Sequence, residues 1–479
     1  MSPTSETIRC RSRLMLLLLA VVVLGPTAQG VAAVDGAAVA AKFCISCHGD
    51  EMAGGRAPGI RGAHWRRART DAEAMRIILD GRQDLGMPGF KDALSAEERG
   101  ALIAYLRTPA PEAKWSWWPF GSSSVSKSIH SELQEFRLEQ VAAGFEVPWS
   151  IAFLPDRRML VTERAGRLRI VNRGETSAPI AGIPRVWYRQ DGGLLSLALD
   201  PEYNKNGWVY LSFSDPGRVS GTSMTKIVRG RITDGHWIDE QVVWEAPARF
   251  YHGGDDHYGC RLLFHDGKLF FTVGERGYRR DAQDLSTPSG KIHRINPDGT
   301  IPRDNPFVGR ADAYPSIWSY GHRNPQGLAI DPRTGELWAT EHGPMGGDEL
   351  NHIRAGQNYG WPVVTFGREH SGAKISDFTS KPGMIDPVTQ WTPSLAVCPL
   401  HFCTGDFYPK WKNQFLVGSL SLQEFRRVAV DGDREVHQET LFKGLGRIRD
   451  IQLGPDGYLY LAIEQRGANG QIMRLMPVK

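Results

Sequence analysis

Two cysteines and a histidine near the N-terminus have the spacing of a haem-attachment site. The segment Cys44-Ile45-Ser46-Cys47-His48 is a CxxCH motif. Two thiols at this spacing add across the vinyl groups of a haem, and the adjacent histidine supplies an axial nitrogen to the iron. A thioredoxin-like redox pair and half of a zinc site are the alternatives, but the chain has no second CxxC and no strand-rich segment precedes the motif. We therefore predict covalently attached haem c.

A methionine is expected as the second axial ligand of the iron. Met87 lies in the stretch Gly86-Met87-Pro88-Gly89, which suits a thioether held over the open haem face, and Met52 is the rival candidate. Ligation by histidine and methionine favours a high reduction potential, so this haem would accept electrons. Residues 95–107 open with the capping-box pair Ser95 and Glu98. They predict the closing helix of a small all-α cytochrome c domain over residues 34–108.

The N-terminus has the pattern of a secretory leader. Arg9, Arg11 and Arg13 precede an apolar run over residues 14–24, and small residues end near Ala33. We predict a signal peptide over residues 1–33 and a periplasmic or secreted protein. A retained membrane anchor is the alternative, although the apolar run is shorter than the ~20 residues that a span requires. The leader carries three Arg and one Glu, so its removal lowers the formal charge from +4 to about +2, too little for a nucleic-acid partner.

Three cysteines remain after the leader and the haem motif are set aside. They are Cys260, Cys398 and Cys403, so at least one cannot be in an intramolecular disulfide. Cys398 and Cys403 are close enough in sequence to bridge across a tight turn, and an exported compartment would allow it. The sequence does not establish the geometry, and this disulfide stays open.

Residues 109–130 shift abruptly to Pro, Ser, Gly and Trp, as a linker does. The tryptophans in it, Trp115, Trp117 and Trp118, either pack the two domains together or rest on a partner surface.

Beyond the linker, a turn followed by a β-rich apolar run recurs six times. Spacings of roughly 40 to 80 residues, with no convincing long helix between them, fit blades of four strands with insertions. About 350 residues of repeating β structure is too much for one sandwich or barrel. The chain is therefore predicted to be mainly β, a six-bladed β-propeller over residues 131–479 preceded by the cytochrome c domain. The apolar runs are residues 159–161, 208–211, 269–271, 337–338, 415–417 and 458–460.

Four loops between these runs concentrate residue types that strands do not need for folding. They are residues 255–257, 321–327, 341–344 and 446–450. Guanidinium groups bind carboxylates bidentately, exposed carbonyls of Gly/Pro turns can hold a cation, and a histidine can accept a proton. Together the loops predict a site for a planar polyanion.

Several of these segments resemble the glucose/sorbosone dehydrogenase family, quinoproteins that use pyrroloquinoline quinone (PQQ) in a six-bladed propeller. The similarity runs in sequence order from about residue 147 to 475 and is greatest to the broad-specificity aldose sugar dehydrogenase branch. The matching segments are residues 319–327, 341–344 through 347–349, 358–362 and 447–450.

The resemblance implies roles for individual residues. His257 would be the general base that takes the proton of the anomeric hydroxyl while hydride passes to the quinone, and Asp256 beside it is a second catalytic candidate. The backbone carbonyls of Gly343 and Pro344 would hold a Ca²⁺ that polarises the quinone. The residues implied to bind the cofactor's carboxylates and quinone oxygens are Arg323, Asn324, Arg447 and Arg449.

Three further residues have two possible roles each. Trp391 occupies the place of an indole near the cofactor plane, and ordinary core packing is its alternative. Asp348 and Glu349 either bind a second Ca²⁺ or serve as caps or ion-pair partners.

Some positions depart from the family pattern and leave the substrate open. Asp191 stands where relatives often have Gln, and Arg276 where the soluble glucose enzyme has Gln; both are expected on the substrate side. Ser421 replaces a Lys that pairs with the cofactor, and Val388 replaces a Tyr of the glucose enzyme, though not of the aldose branch. Residues 394–403 also leave the pattern.

The fusion of the two domains predicts one electron-transfer circuit, because a tethered haem is an acceptor at high effective concentration. We expect an exported quinohaemoprotein that oxidises the C1 hydroxyl of aldose sugars to lactones with PQQ and Ca²⁺. Electrons would leave through the haem to a soluble cytochrome or a membrane-bound respiratory carrier. The alternatives are a PQQ enzyme for another alcohol or a sugar aldehyde such as sorbosone, and a non-catalytic binding propeller beside an electron-transfer haem.

Overall fold

The computed structural model describes most of the chain after the predicted leader. The described residues are 34–48, 52, 57, 59–62, 70–82, 87–108, 128–405, 407–465, 467 and 469–478. The predicted signal peptide and the tryptophans of the predicted linker lie outside this set. Within it, no helix has the length and apolar character needed to cross a membrane.

The N-terminal part is helical, and the sequence signals at its helix starts are visible in the structure. Asp35 caps the first helix, Thr70 the third, and Ser95 and Glu98 form the predicted capping box of the fourth. The predicted closing helix is therefore confirmed. The helices are α1 Gly36–Phe43, α2 Ile45–His48, α3 Asp71–Asp80 and α4 Ala96–Arg107.

One apolar cluster joins these helices. Phe43 of α1, Ile78 of α3 and Leu102 of α4 are buried in it, together with Cys44 and Met52. Burial of such side chains contributes about 1.5–3 kcal/mol each, which is how short helices of this kind become stable.

The rest of the described chain forms six antiparallel sheets. The strands are β1 Ile129–His130, β2 Glu135–Phe145, β3 Pro148–Phe153, β4 Met159–Glu163, β5 Arg167–Asn172, β6 Glu175–Thr176, β7 Leu194–Leu199, β8 Val209–Pro216, β9 Ser223–Thr233, β10 His236–Glu245, β11 Leu262–His265, β12 Lys268–Val273, β13 Lys291–Ile295, β14 Ile317–Tyr320, β15 Pro325–Asp331, β16 Glu336–Glu341, β17 Asp348–Ile353, β18 Thr389–Trp391, β19 Val397–Cys403, β20 Gln414–Ser419, β21 Glu424–Asp431, β22 Arg434–Lys443, β23 Arg447–Leu453, β24 Leu459–Glu464 and β25 Gly470–Pro477, with a short helix α5 Tyr203–Asn206 between β7 and β8.

The sheets close into a ring. Five are built from four consecutive strands each, and the sixth joins β23, β24 and β25 to β2 and β1 from the other end of this region. Pairing of β2 with β25 runs from Phe136 opposite Pro477 to Phe145 opposite Gly470. The first strands of successive sheets, β3, β7, β11, β15, β19 and β23, contact one another around a central axis. This is the predicted six-bladed β-propeller.

The six apolar runs of the sequence mark the same place in every blade. They fall on or at the start of the second strands, β4, β8, β12, β16, β20 and β24. These strands are almost entirely buried, as β4 and β12 illustrate. Because both faces of an inner strand are covered by neighbouring blades, its sequence reads as a continuous apolar run.

One predicted boundary shifts, and the disulfide that the sequence left open is absent. Strand β1, of the sheet that closes the ring, begins at Ile129, so the propeller starts just before the predicted boundary at residue 131. Cys398 and Cys403 are not joined by a disulfide, because both lie on β19. Five residues of extended strand span roughly 16 Å, whereas the Cα atoms of a disulfide lie at most about 7 Å apart.

A buried ion pair joins the blades near the central axis of the propeller. Arg261 Nη1 lies 3.0 Å from Asp450 Oδ1, and Arg261 Nε donates to the carbonyl of Gln326 at 2.8 Å. The other oxygen of Asp450 accepts from Ser150 Oγ at 3.0 Å and from the backbone N–H of Ile151 at 2.8 Å. Strands of four different blades are tied together at this point.

Candidate functional site

A cavity of about 770 Å³, counted with its open mouth, lies where the first strands of the blades begin. Its wall contains nine of the predicted site residues and several others. The lining residues are Cys47, Trp149, Asp191, Leu195, His257, Tyr258, Gly259, Arg323, Asn324, Gln326, His342, Gly343, Pro344, His370, Ser394, Ala396, Leu420, Ser421, Arg447 and Arg449.

One side of the cavity is strongly cationic. Arg447 Nε and Arg449 Nε donate to the same oxygen of Glu464 at 3.2 and 2.7 Å. Burial alone would raise the pKa of Glu464, but the charges of Arg449, Arg447 and Arg164 bring it down to about 2. The carboxylate of Glu464 is thus shared by the buried Arg449 and the partly buried Arg447, and the remaining positive charge favours an anionic ligand.

Arg323 and Asn324 connect the cavity wall to its neighbouring loops. Arg323 Nη1 donates to the carbonyl of Gly343 at 2.9 Å. Asn324 Oδ1 accepts from the backbone N–H of Gly259 at 3.0 Å and from Gln326 Nε2 at 3.1 Å. These bonds fix both side chains at the start of β15, where the sequence predicted cofactor contacts.

His257 is hydrogen-bonded to a buried carboxylate that the sequence analysis did not identify. Its Nδ1 contacts Oε1 of Glu275, a residue that is 1 % exposed. Burial by itself would raise the pKa of Glu275, but the hydrogen bond and charge of His257 lower it. With Nδ1 donating to Glu275, Nε2 is the proton acceptor, the arrangement of a general base. The signal in the sequence was a charged residue just beyond the end of β12, separated from it by Gly274.

Arg276 occupies a different place from the one predicted. It is 1 % exposed and does not line the cavity. Its guanidinium donates to the carbonyls of Asp256 and of Gly254, the latter at 2.9 Å, and to Ser223 Oγ at 3.1 Å. The structure therefore assigns Arg276 to the support of the loop that carries His257, in place of the substrate side.

Of the other residues predicted in the propeller site, Asp256 and Trp391 also lie outside the cavity wall, whereas Asp191 lies in it. Asp256 meets Arg276 through its backbone carbonyl. Trp391 packs in a buried cluster of the fourth and fifth blades, and its Nε1 donates to Gln438 Oε1 at 2.8 Å. The position of Trp391 favours core packing, the alternative that the sequence left open.

The turn at Gly343 and Pro344 is pinned by Asp348. One oxygen of Asp348 accepts from the Gly343 N–H and from Ser394 Oγ, both at 2.8 Å, and the other accepts from the Val397 N–H at 3.1 Å. Both carboxylate oxygens are thus used for capping. Among the described residues, no group of three or more His, Cys, Asp or Glu side chains could hold a metal ion.

The haem motif forms a single helical turn next to the cavity. The backbone N–H groups of Cys47 and His48 donate to the carbonyl of Cys44 at 3.2 and 2.8 Å. Cys44 and Met52 belong to the apolar cluster of the helical part, and Met87 packs against it. Both candidate axial methionines therefore lie near the motif, in surroundings that suit a porphyrin. Cys47 itself lines the cavity that contains His257.

Two protein-family models match this chain. Residues 145–474 match the model described as Glucose / Sorbosone dehydrogenase. Residues 31–106 match the model described as Cytochrome C oxidase, cbb3-type, subunit III. The two matches fall on the propeller and on the helical part.

Individual proteins agree with the family match. The aldose sugar dehydrogenase YliI of Escherichia coli K12 is 39% identical over 362 residues, which are 74% of this chain and 96% of that protein. The crystal structure of the apo-form of the soluble aldose sugar dehydrogenase from Escherichia coli matches with a TM-score of 0.67 at 37% identity, over 72% of this chain and 100% of that one. The PQQ-bound aldose sugar dehydrogenase from Streptomyces coelicolor matches with a TM-score of 0.57 at 27% identity, over 74% and 99%. The chain belongs to the glucose/sorbosone dehydrogenase family, with a cytochrome c domain in front of the propeller.

Proposed function

We propose that this protein oxidises the C1 hydroxyl of aldose sugars to lactones with PQQ and Ca²⁺, and passes the electrons to a haem c attached at Cys44 and Cys47. The observation that carries the proposal is the joint position of three elements in one cavity wall. They are His257 with its carboxylate partner, the arginines Arg323, Arg447 and Arg449, and Cys47 of the haem motif.

The cavity fits a planar polyanion such as PQQ. Three guanidinium groups line it, and His342 Nε2, also in the wall, is buried with no hydrogen-bond partner among the described residues. Burial and the charge of Arg323 lower the pKa of His342 to about 3, so this imidazole is neutral and can accept or donate one hydrogen bond. When bound, PQQ supplies the acceptor for the hydride of the sugar.

His257 removes the proton of the anomeric hydroxyl in this scheme. Nε2 takes the proton, and the Glu275 carboxylate at Nδ1 stabilises the imidazolium that results. Asp191 is the acidic group of the wall nearest to this loop, because its Oδ2 lies 3.4 Å from the His257 N–H. A carboxylate there accepts hydrogen bonds from sugar hydroxyls, which would select among substrates by hydroxyl pattern.

Backbone carbonyls would hold the calcium ion. Gly343 and Pro344 line the cavity, and backbone carbonyls are hard oxygen ligands of the kind that Ca²⁺ prefers; the Gly343 carbonyl would then be shared between the ion and Arg323 Nη1. Two carbonyls are too few, since Ca²⁺ takes about 6–8 oxygens. Cofactor oxygens and water must therefore complete the shell, and calcium and PQQ should bind together.

The helical domain would hold the haem iron between His48 and Met87, with Met52 as the alternative ligand. Apolar surroundings and His/Met ligation both favour an electron acceptor. The leader-like residues 1–33 support export. A soluble cytochrome or a membrane-bound carrier would then take the electrons onward.

The test is a substrate panel on protein loaded with PQQ and Ca²⁺, read with a small two-electron dye. Aldoses should reduce the dye, and a non-sugar alcohol and sorbosone serve as the competing substrates. The His257→Ala variant should bind PQQ like the wild type while losing dye reduction. Dye reduction by His257→Ala at the wild-type rate would remove His257 from the mechanism, and a preference for sorbosone over every aldose would replace the proposed substrate class.

A further inference from the structure

The haem motif and the cavity meet across an apolar contact between the two domains. On the propeller side, Gly343 and Pro344 line the cavity, and the next residue, Met345, packs against the apolar core of the helical domain. On the helical side, Ile45 packs against a buried cluster of the propeller that includes Leu395. A single short loop thus touches the cavity with two residues and the cytochrome domain with the third.

A second propeller loop has the same double contact. His370 lines the cavity, while Gly372 lies against the ring of Phe43 and the side chain of Ala93 in the helical domain. Glu369 of this loop is paired with Arg279, which fixes the loop to the propeller. The loop is also joined to the first loop, because the backbone N–H of Met345 donates to the carbonyl of Arg368 at 3.0 Å. The two loops therefore form one platform.

We propose that this docking platform, formed by Met345 and Gly372 against Phe43, Ile45 and Ala93, is the route by which electrons leave the cavity. It holds the haem-attachment turn at the cavity wall, so electrons pass directly to the haem of the same chain and no diffusing mediator is needed. The inference rests on the proposed function and adds a defined path to it.

The position of Cys47 is the reason for a direct path. Cys47 lines the cavity, so a haem attached to its sulfur would be bonded directly to a residue of the cavity wall. Each sugar gives up two electrons and two protons. The haem held by Cys44, Cys47 and His48 would accept these electrons one at a time, and a one-electron carrier outside the chain would reoxidise it between the two transfers. One proton goes to His257 and both finally reach solvent.

Two glycines offer a matched test of the platform. A Cβ at Gly372, where φ is +86°, would lie 2.9 Å from Cε1 of Phe43 and 3.5 Å from Cβ of Ala93. A Cβ at Gly383, where φ is +82°, would meet nothing within 4 Å. Gly372→Asp and Gly383→Asp therefore impose the same left-handed backbone strain, but only the first also pushes a charge into the docking contact.

The experiment uses full-length protein loaded with haem, and two readouts. Without PQQ, hydrogen exchange of residues 36–48 reports whether the helical domain is docked. With PQQ, Ca²⁺ and sugar, stopped-flow spectra follow haem reduction, and a small two-electron dye follows turnover in the cavity. Gly372→Asp should speed exchange and slow haem reduction by at least about tenfold while dye reduction stays at the wild-type rate. Gly383→Asp should match the wild type in hydrogen exchange, in haem reduction and in dye reduction.

Two results would overturn the inference. Unchanged exchange in Gly372→Asp would mean that the domains are not docked in solution, and unchanged haem reduction despite faster exchange would mean that electrons do not need this surface. If the wild type reduces neither dye nor haem, the proposed function fails, and the exchange data still report on docking. Ala93→Glu makes the same perturbation from the helical side, should Gly372→Asp not fold.

Discussion

At the scale of single residues, the proposed proton transfer depends on how the His257 side chain is held. Its backbone is in the left-handed region, with φ of 54°, and its ring is paired with a carboxylate that water barely reaches. Such a conformation is costly for a non-glycine residue and persists only when the surroundings fix it. Glu275 supplies that constraint by pairing with the imidazole ring, and Arg276 by donating to the backbone carbonyls of Gly254 and Asp256 in the same loop.

Replacing the carboxylate partner should impair catalysis without affecting the cofactor. In Glu275→Gln the neutral amide no longer stabilises the imidazolium, and we expect kcat to fall by about 10²-fold or more. Binding of PQQ, measured by titration, should be unchanged. Glu202→Gln is the control, because Glu202 is an exposed partner of Lys205 on the surface. A kcat for Glu275→Gln within twofold of the wild type would contradict this role.

Arg276 can be tested by what its loss does to specificity. Arg276→Met leaves the carbonyls of Gly254 and Asp256 without their donor, at a cost of about 1–3 kcal/mol each. The loop should move, and kcat should fall by a similar factor for every aldose while their ranking stays the same. A changed ranking would mean that Arg276 contacts substrate, as the sequence had indicated.

At the scale of strands and loops, prediction from the sequence worked where burial leaves a simple pattern. The second strand of each blade is covered on both sides, so its apolar run is visible in the sequence. The N-terminal cap of α4 is likewise predicted by the capping-box pair Ser95 and Glu98. Glu275 and Arg276 could not be placed in this way. They share a turn with φ of 58° at Arg276, and only the path of that turn brings Glu275 to His257 and Arg276 to the carbonyl of Asp256.

Trp391 is a second residue whose side-chain position could not be predicted from the sequence. It was assigned by its position in a family motif, and the short strand β18 instead carries its ring into the core between two blades. Cys398 and Cys403 were separated by the extended geometry of β19, which a count of residues does not reveal.

Strand β13 carries a buried histidine that makes stability depend on pH. His293 is fully buried between Ser316 Oγ and the carbonyl of Pro288, both at 2.9 Å, and burial lowers its pKa to about 3. The unfolded chain binds this proton near pH 6.5, so stability is complete above that pH and is lost as the pH falls toward 3.

The slope of this loss is the measurable quantity. As the pH is lowered from 6 to 4, the free energy of unfolding should decrease in both proteins. The decrease should be steeper in the wild type than in His293→Gln, by about 1.4 kcal/mol per pH unit. His236→Gln, at an exposed histidine, should keep the wild-type slope. Equal slopes in all three proteins, from urea unfolding at each pH, would contradict the assignment.

At the scale of the whole molecule, the ring is closed at its rim by β2 and β25 and at its axis by Arg261 and Asp450. Arg261→Met leaves Asp450 buried without its charge partner, and we expect a loss of about 3–5 kcal/mol in the free energy of unfolding. The double variant Arg261→Met/Asp450→Asn removes the charge but keeps an acceptor for Ser150 and Ile151, so it should recover most of that loss. A double variant no more stable than Arg261→Met would show that the pair does more than balance charge.

The central claim is that the propeller and the cytochrome domain form one circuit driven by sugar. The most direct measurement follows the absorption of the reduced haem in haem-loaded protein, without oxygen, while an aldose is added with and without PQQ and Ca²⁺. We predict that the haem is reduced only when sugar, PQQ and Ca²⁺ are all present. A haem that stays oxidised while the same sample turns over sugar with a two-electron dye would contradict the account.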